Sequence, residues 1–277
     1  MEAVYVILGV SCDSHPRQDC PNMRLRLDLL TFMAAALLLA GCASQASKDK
    51  NLSAALLYKG IQANLAAGNY KSAISRLQTL EARFPFDVYG TQAQLDLIYA
   101  NYMSANYDTA EDTADRFIRE HPRHADVDYA YYMKGVAYFD KDPGPLMRVF
   151  GHDNYQRDPS DAQKSFQAFQ LLLQKFPDTK YAADARQRMI FLRDRLADYE
   201  WSVADYYMRR GAWISAIQRA NKIINDYQQA PRTKDALQIL TTAYTRLGLT
   251  ALADSSKKVL EANYPGASPL YKPYGPS

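Results

Sequence analysis

One set of residue types returns at fixed offsets along most of the chain, and that repetition constrains the fold more than any other feature. The tripeptides Gly68-Asn69-Tyr70, Ala105-Asn106-Tyr107, Gly211-Ala212-Trp213 and Gly248-Leu249-Thr250 align. Three residues past the last member of each stands Ala73, Ala110, Ala216 or Ala253. At ten stands Leu80, Phe117, Ile223 or Leu260, and at fourteen Phe84, His121, Tyr227 or Tyr264. Pro85, Pro122 and Pro265 follow three of these. A fifth copy, anchored at Ala162, keeps Leu172, Phe176 and Pro177, with Ser165 in the alanine place. The offsets fall on one face of a 3.6-residue helix. The small residue lets a partner helix approach closely, and the proline stops the helix.

Each such helix follows a second amphipathic segment, at 54–67, 92–104, 128–139, 181–210 and 234–247. Helix pairs of this length cannot bury both faces alone, so they stack on one another. The pattern resembles the tetratricopeptide repeat. The expected fold is all-α: a solenoid of about five such pairs, the third interrupted by a loop and the fourth with a long first helix. The loop runs over 140–158, with Asp158 as N-cap and Pro159 at the first helical position. A single helix over 181–210 would span about 45 Å, a strut between pairs one to three (53–178) and pairs four and five (179–265). The remainder, 266–277, reads as an extended tail rich in proline and tyrosine.

The amino terminus reads as an address. Arg24 and Arg26 precede 29–40, a run of 12 residues that is apolar but for Thr31 and too short to span a bilayer as a mature helix. It ends in Leu39-Ala40-Gly41-Cys42, which resembles the bacterial lipobox. On that reading Met23 opens a signal peptide over 23–41, and 1–22 is an upstream mis-start. Cys42 then carries diacylglycerol and an N-acyl chain such as palmitate, and 42–52 is a polar tether. Two or more acyl chains give stable attachment. Ala43, rather than Asp, after the cysteine favours the outer membrane over the inner in lipoproteins of this kind.

Composition removes several alternatives. The formal net charge of +3 gives no basic field, so no nucleic-acid partner is expected. The three cysteines all lie at or before position 42, which excludes a stapled fold and a cysteine metal site from the body. No phosphate-binding glycine loop, His-Glu-x-x-His or Gly-x-Ser-x-Gly is present. His121 occupies the aromatic helix-end position and reads as a packed side chain. His121 and His124 lack further ligands placed by sequence, and prolines interrupt any calcium loop around Asp140 and Asp142. No metal, no cofactor beyond the lipid and no catalysis are expected.

Recognition remains. Twenty-one tyrosines supply rigid contact area with a polar tip. The densest aromatic stretch is Arg83-Phe84-Pro85-Phe86-Asp87-Val88-Tyr89-Gly90, followed by Tyr99 and Tyr102. Phe86 and Tyr89 head the candidate groove residues.

Several long, irregular strings carry a more specific likeness. Arg83-Phe84-Pro85-Phe86-Asp87-Val88-Tyr89, Gln94 to Ala100, Asp115 to Arg119, Arg157-Asp158-Pro159, Phe191 to Glu200, Val203 to Tyr207 and Arg210-Gly211-Ala212-Trp213 resemble the lipoprotein family of the outer-membrane β-barrel assembly machinery. The likeness spans roughly Cys42 to Leu260 and stops before the tail. It implies an essential scaffold, anchored by lipid on the periplasmic face of the outer membrane. Its N-terminal repeats would receive C-terminal segments of unfolded barrel proteins, in a groove of Lys71, Phe84, Phe86, Tyr89 and Tyr99. Its C-terminal repeats would hold the POTRA region of the barrel subunit BamA, through Arg219 and Arg210, together with accessory Bam lipoproteins. A rival reading is a periplasmic repeat lipoprotein that tethers cell-wall or division proteins.

Overall fold

The computed structural model describes residues 51–141 and 158–272, and within them all regular structure is helical. Ten helices follow in order: α1 Ala54–Ala66, α2 Tyr70–Arg83, α3 Val88–Met103, α4 Tyr107–Glu120 and α5 Val127–Lys141, then α6 Ser160–Lys175, α7 Ala182–Arg209, α8 Trp213–Asp226, α9 Thr233–Arg246 and α10 Thr250–Asn263. Each helix packs on the next, giving five helix pairs in a tetratricopeptide-like solenoid. The first helices of successive pairs also touch, α1 on α3, α3 on α5 and α7 on α9.

The repeated residues set this packing. Ala73, Ala110, Ala162, Ala216 and Ala253 are buried against the partner helix, as are Leu80, Phe117, Leu172, Ile223 and Leu260. Ser165 is buried too, and its hydroxyl donates to the Gly135 carbonyl at 2.8 Å, so the fifth copy keeps the close approach by other means. Gly135 has no room for a side chain: a Cβ there would lie 2.6 Å from the Phe169 ring. The residue at offset fourteen closes every second helix. The N–H groups of Phe84, His121, Phe176, Tyr227 and Tyr264 bond the carbonyls of Leu80, Phe117, Leu172, Ile223 and Leu260. Within pairs one, two, four and five the turn passes through positive φ, at Gly68 (71°), Ala105 (57°), Gly211 (71°) and Gly248 (73°). Alanine at 105 accepts a strain of about 1–2 kcal/mol that glycine avoids.

Several boundaries differ from the sequence reading. Helix α3 starts at Val88 rather than at 92, because the Asp87 carboxylate accepts the Tyr89 N–H at 3.0 Å and caps it. Val88 and Tyr89 thus belong to a first helical turn. Helix α5 continues to Lys141, past the expected loop start at Asp140. Pro159, not Asp158, occupies the N-cap backbone position of α6, while the Asp158 carboxylate accepts the Ser160 N–H at 3.0 Å. The long first helix of pair four is a single element of 28 residues. Asp142 and Arg157, Cys42 with the expected signal segment before it, and residues 273–277 of the tail lie outside the described residues. No described helix is long and apolar enough to cross a membrane.

Candidate polypeptide-binding surfaces

The first helices turn polar and aromatic stripes toward one another. On α3, Tyr89, Gln92, Asp96 and Tyr99 fall at helical spacing on one face. Asp96 is the focus. It accepts the Tyr58 hydroxyl at 3.0 Å and the Gln62 amide at 2.7 Å, both from α1, and the Gln92 amide at 3.2 Å. Loss of water raises the Asp96 pKa above the usual carboxylate range, against the pull of its three donors. The same loss of water, with Asp96 beside it, pushes the Tyr58 hydroxyl up. Tyr58 also meets Tyr89, ring centroids 4.9 Å apart.

The stripe continues on α5 and the start of α7. Tyr132 stacks on Tyr181 at 4.4 Å and donates to Asp184 at 2.8 Å, and Asp184 in turn accepts Arg188 at 2.6 Å. Tyr129 lies 6.0 Å from Tyr181. Its hydroxyl is pushed up by burial, with Asp96, Tyr99 and Tyr132 contributing. Ring contacts thus join α1 to α3 through Tyr58 and Tyr89, and α5 to the start of α7 through Tyr129, Tyr132 and Tyr181.

The five expected groove residues divide between the two ends of α2, about 20 Å apart by helix length. At its start, Lys71 borders a shallow cavity of about 370 Å³ lined by Gly68, Asn69, Tyr70, Ser72 and Ser104. Tyr70 meets Tyr99 edge-on there, at 6.2 Å. At its end, Phe84 lies under the Arg83 guanidinium at 4.9 Å, and Phe86 is 101% exposed. Tyr89 joins this group through the α3 cap. The sequence reading missed Asp96, Tyr58, Gln62, Tyr129 and Tyr132. The available signal was an aspartate set between two leucines, in Gln94-Leu95-Asp96-Leu97-Ile98.

Pairs four and five carry charge. Glu200 of α7 is buried and accepts Arg219 at 3.0 Å and Lys222 at 2.6 Å, both from α8. Arg219 thus already grips a carboxylate of its own chain, and 39% of its side chain stays exposed. Arg210 is exposed and lies over the Tyr206 ring at 4.8 Å. Arg232 reaches Asp198 at 2.7 Å and Asp235 at 2.9 Å, with its guanidinium 3.7 Å above the Trp201 ring. Burial opposes that charge, but the two carboxylates outweigh it and raise the Arg232 pKa.

The histidines pack. Phe117 lies 5.1 Å from the His121 ring and 5.4 Å from His124.

A family model described as an outer membrane lipoprotein, YfiO, matches residues 50–259. Outer membrane protein assembly factor BamD of Neisseria meningitidis serogroup B is 40% identical over 252 residues, 89% of this chain and 94% of that protein. The Vibrio cholerae protein of the same name is 35% identical over 86% of this chain and 99% of its own length. That of Haemophilus influenzae is 32% identical over 91% and 96%.

Proposed function

The chain belongs to the YfiO family of outer membrane lipoproteins, and from that premise we propose that it is a non-enzymatic scaffold for β-barrel assembly. The observation that carries this reading is the shared identity of its relatives as outer membrane protein assembly factors, across at least 86% of this chain in each case reported. The geometry supplies a means. Lipid on Cys42 holds the body at the periplasmic face of the outer membrane. Unfolded barrel strands alternate apolar and polar residues, with aromatics at the membrane boundaries. The stripe of Tyr58, Tyr89, Tyr99, Tyr129 and Tyr132 offers rings for the first and hydroxyls for the second. Phe86, Phe84 and Lys71 border that stripe and make the first contact with the client. At the other end, Arg210 and the free side of Arg219 meet carboxylates of the BamA POTRA region, and accessory lipoproteins bind nearby.

Two experiments test this. Depletion of the chain should abolish assembly of barrel proteins; normal assembly without it overturns the scaffold role. Phe86 contributes nothing to the core, so Phe86→Ala should leave stability within about 0.5 kcal/mol. Reduced crosslinking of that variant to a barrel C-terminal peptide would then report contact alone, and undiminished crosslinking removes Phe86 from the groove.

A further inference from the structure

The segment 268–272 lies beyond the residues that the family model matches, and it fills a groove between the first helices of pairs four and five. The chain leaves α10, turns at Gly266 (φ 79°) and returns over α9 and α7. Gln238 donates to the Ser268 carbonyl at 2.6 Å, and the Tyr271 N–H donates to Thr242 Oγ1 at 2.8 Å. The Tyr271 hydroxyl donates to Asp205 Oδ1 at 2.7 Å. Tyr271 is only 8% exposed and joins the core cluster of Trp201 and Ala204, whereas Leu270 beside it is 58% exposed.

This division of contacts is that of a peptide reader. The α9 side chains hold two backbone groups that any sequence supplies. A single socket then selects one side chain. Its floor is apolar, and its far end is a carboxylate that rewards a hydroxyl donor, so it prefers tyrosine to phenylalanine. Neighbours alternate in and out, as they do along a β-strand.

We propose that the α7–α9 groove is a binding site for extended, tyrosine-bearing segments of unfolded barrel strands, held shut in cis by Tyr271. The identity of the incoming segment rests on the scaffold reading; the socket itself does not. The tail is tethered by a short turn, which gives it an effective concentration in the millimolar range. A client displaces it only when presented at comparable local concentration, as when the tyrosine stripe of pairs one to three already holds another part of the same client.

The test uses the full chain and a labelled peptide with the sequence of residues 266–272, read by fluorescence anisotropy. Tyr271→Ala should bind the peptide at least tenfold more tightly than the unaltered chain. Tyr271→Phe, which loses the hydroxyl and its bond to Asp205 but keeps the ring, should show a smaller gain and serves if the alanine variant does not fold. A peptide with phenylalanine in place of its tyrosine should bind several-fold more weakly. Equal binding by the unaltered chain and both variants, or no preference for tyrosine, overturns the socket. Failure of a tyrosine-bearing barrel-strand peptide to displace the labelled one overturns the client assignment, even where depletion still blocks barrel assembly. So does a dimer of the unaltered chain that Tyr271→Ala abolishes, since the socket would then serve a second copy.

Discussion

The first helices of pairs one and two and those of pairs four and five share one geometry and carry different chemistry. On α1 and α3, neutral donors converge on a single carboxylate, Asp96, which burial leaves reluctant to ionise. On α7, carboxylates are met by full cations: Glu200 by Arg219 and Lys222, Asp198 by Arg232. The repeat therefore fixes where side chains stand and leaves open what they do. A face of hydroxyls and amides can exchange its hydrogen bonds with a passing polypeptide at little cost, because each partner has a replacement in the other's backbone. The ion pairs around Glu200 and Asp198 are locked to their own neighbours and suit a partner of fixed shape, whereas the Tyr271 socket between α7 and α9 is closed by hydrogen bonds of the exchangeable kind.

The largest way to break this contrast lies in the C-terminal core. Trp201 is 6% exposed, stacks under Arg232 and borders the Tyr271 socket. Trp201→Ala should cost about 3–5 kcal/mol. Helix pairs are stabilised by nearest neighbours, so hydrogen exchange should accelerate over α7 to α10 and stay unchanged in α1 to α4. Equal acceleration throughout would show that the two ends unfold as one unit and that the comparison has no energetic content.

A smaller effect sharpens it. Glu200→Gln removes a buried charge and leaves Arg219 and Lys222 without their counter-ion. Both cations are more than a third exposed, so water recovers part of the loss. Destabilisation of about 1–3 kcal/mol is expected by chemical melting. A change near zero would mean that the pair is dispensable to the fold and that Arg219 is held for a partner.

What could be read in advance follows the range of the interaction. Offsets within one helix are local, so Ala73, Leu80 and their counterparts announced both the pairs and the core. The cap at Asp87 is equally local, and an aspartate two residues after Pro85 is its sequence signal. The site residues are another matter. Tyr58 and Gln62 meet Asp96 across 38 and 34 positions, and Tyr271 meets Asp205 across 66. Those meetings depend on how each pair is set against the next, which periodicity does not encode. Arg219 shows the same gap: it reads as an outward-reaching cation until α7 places Glu200 beneath it.

The smallest predicted effect discriminates the two faces by sign. A carboxyl whose pKa is higher in the folded chain than in the unfolded one holds its proton more tightly when folded. For Asp96 that contribution is fully present below the unfolded value of about 3.9 and is lost as pH rises through its raised folded value. At pH 7 the buried charge is then a liability, offset by Tyr58, Gln62 and Gln92. Asn at this position keeps one oxygen for Tyr58 and Gln62, turns an NH2 toward Gln92, whose side-chain amide can flip to accept it, and has no charge to desolvate. Asp96→Asn should therefore be at least as stable as the unaltered chain at pH 7, by less than about 1 kcal/mol, and the advantage should shrink in chemical melts at pH 4. Glu200→Gln, the same change of charge at the other end, is expected to destabilise. If Asp96→Asn instead loses more than about 1 kcal/mol at pH 7, the three donors outweigh desolvation. Both faces would then be held by charge, and the N-terminal stripe would be as locked as the C-terminal one.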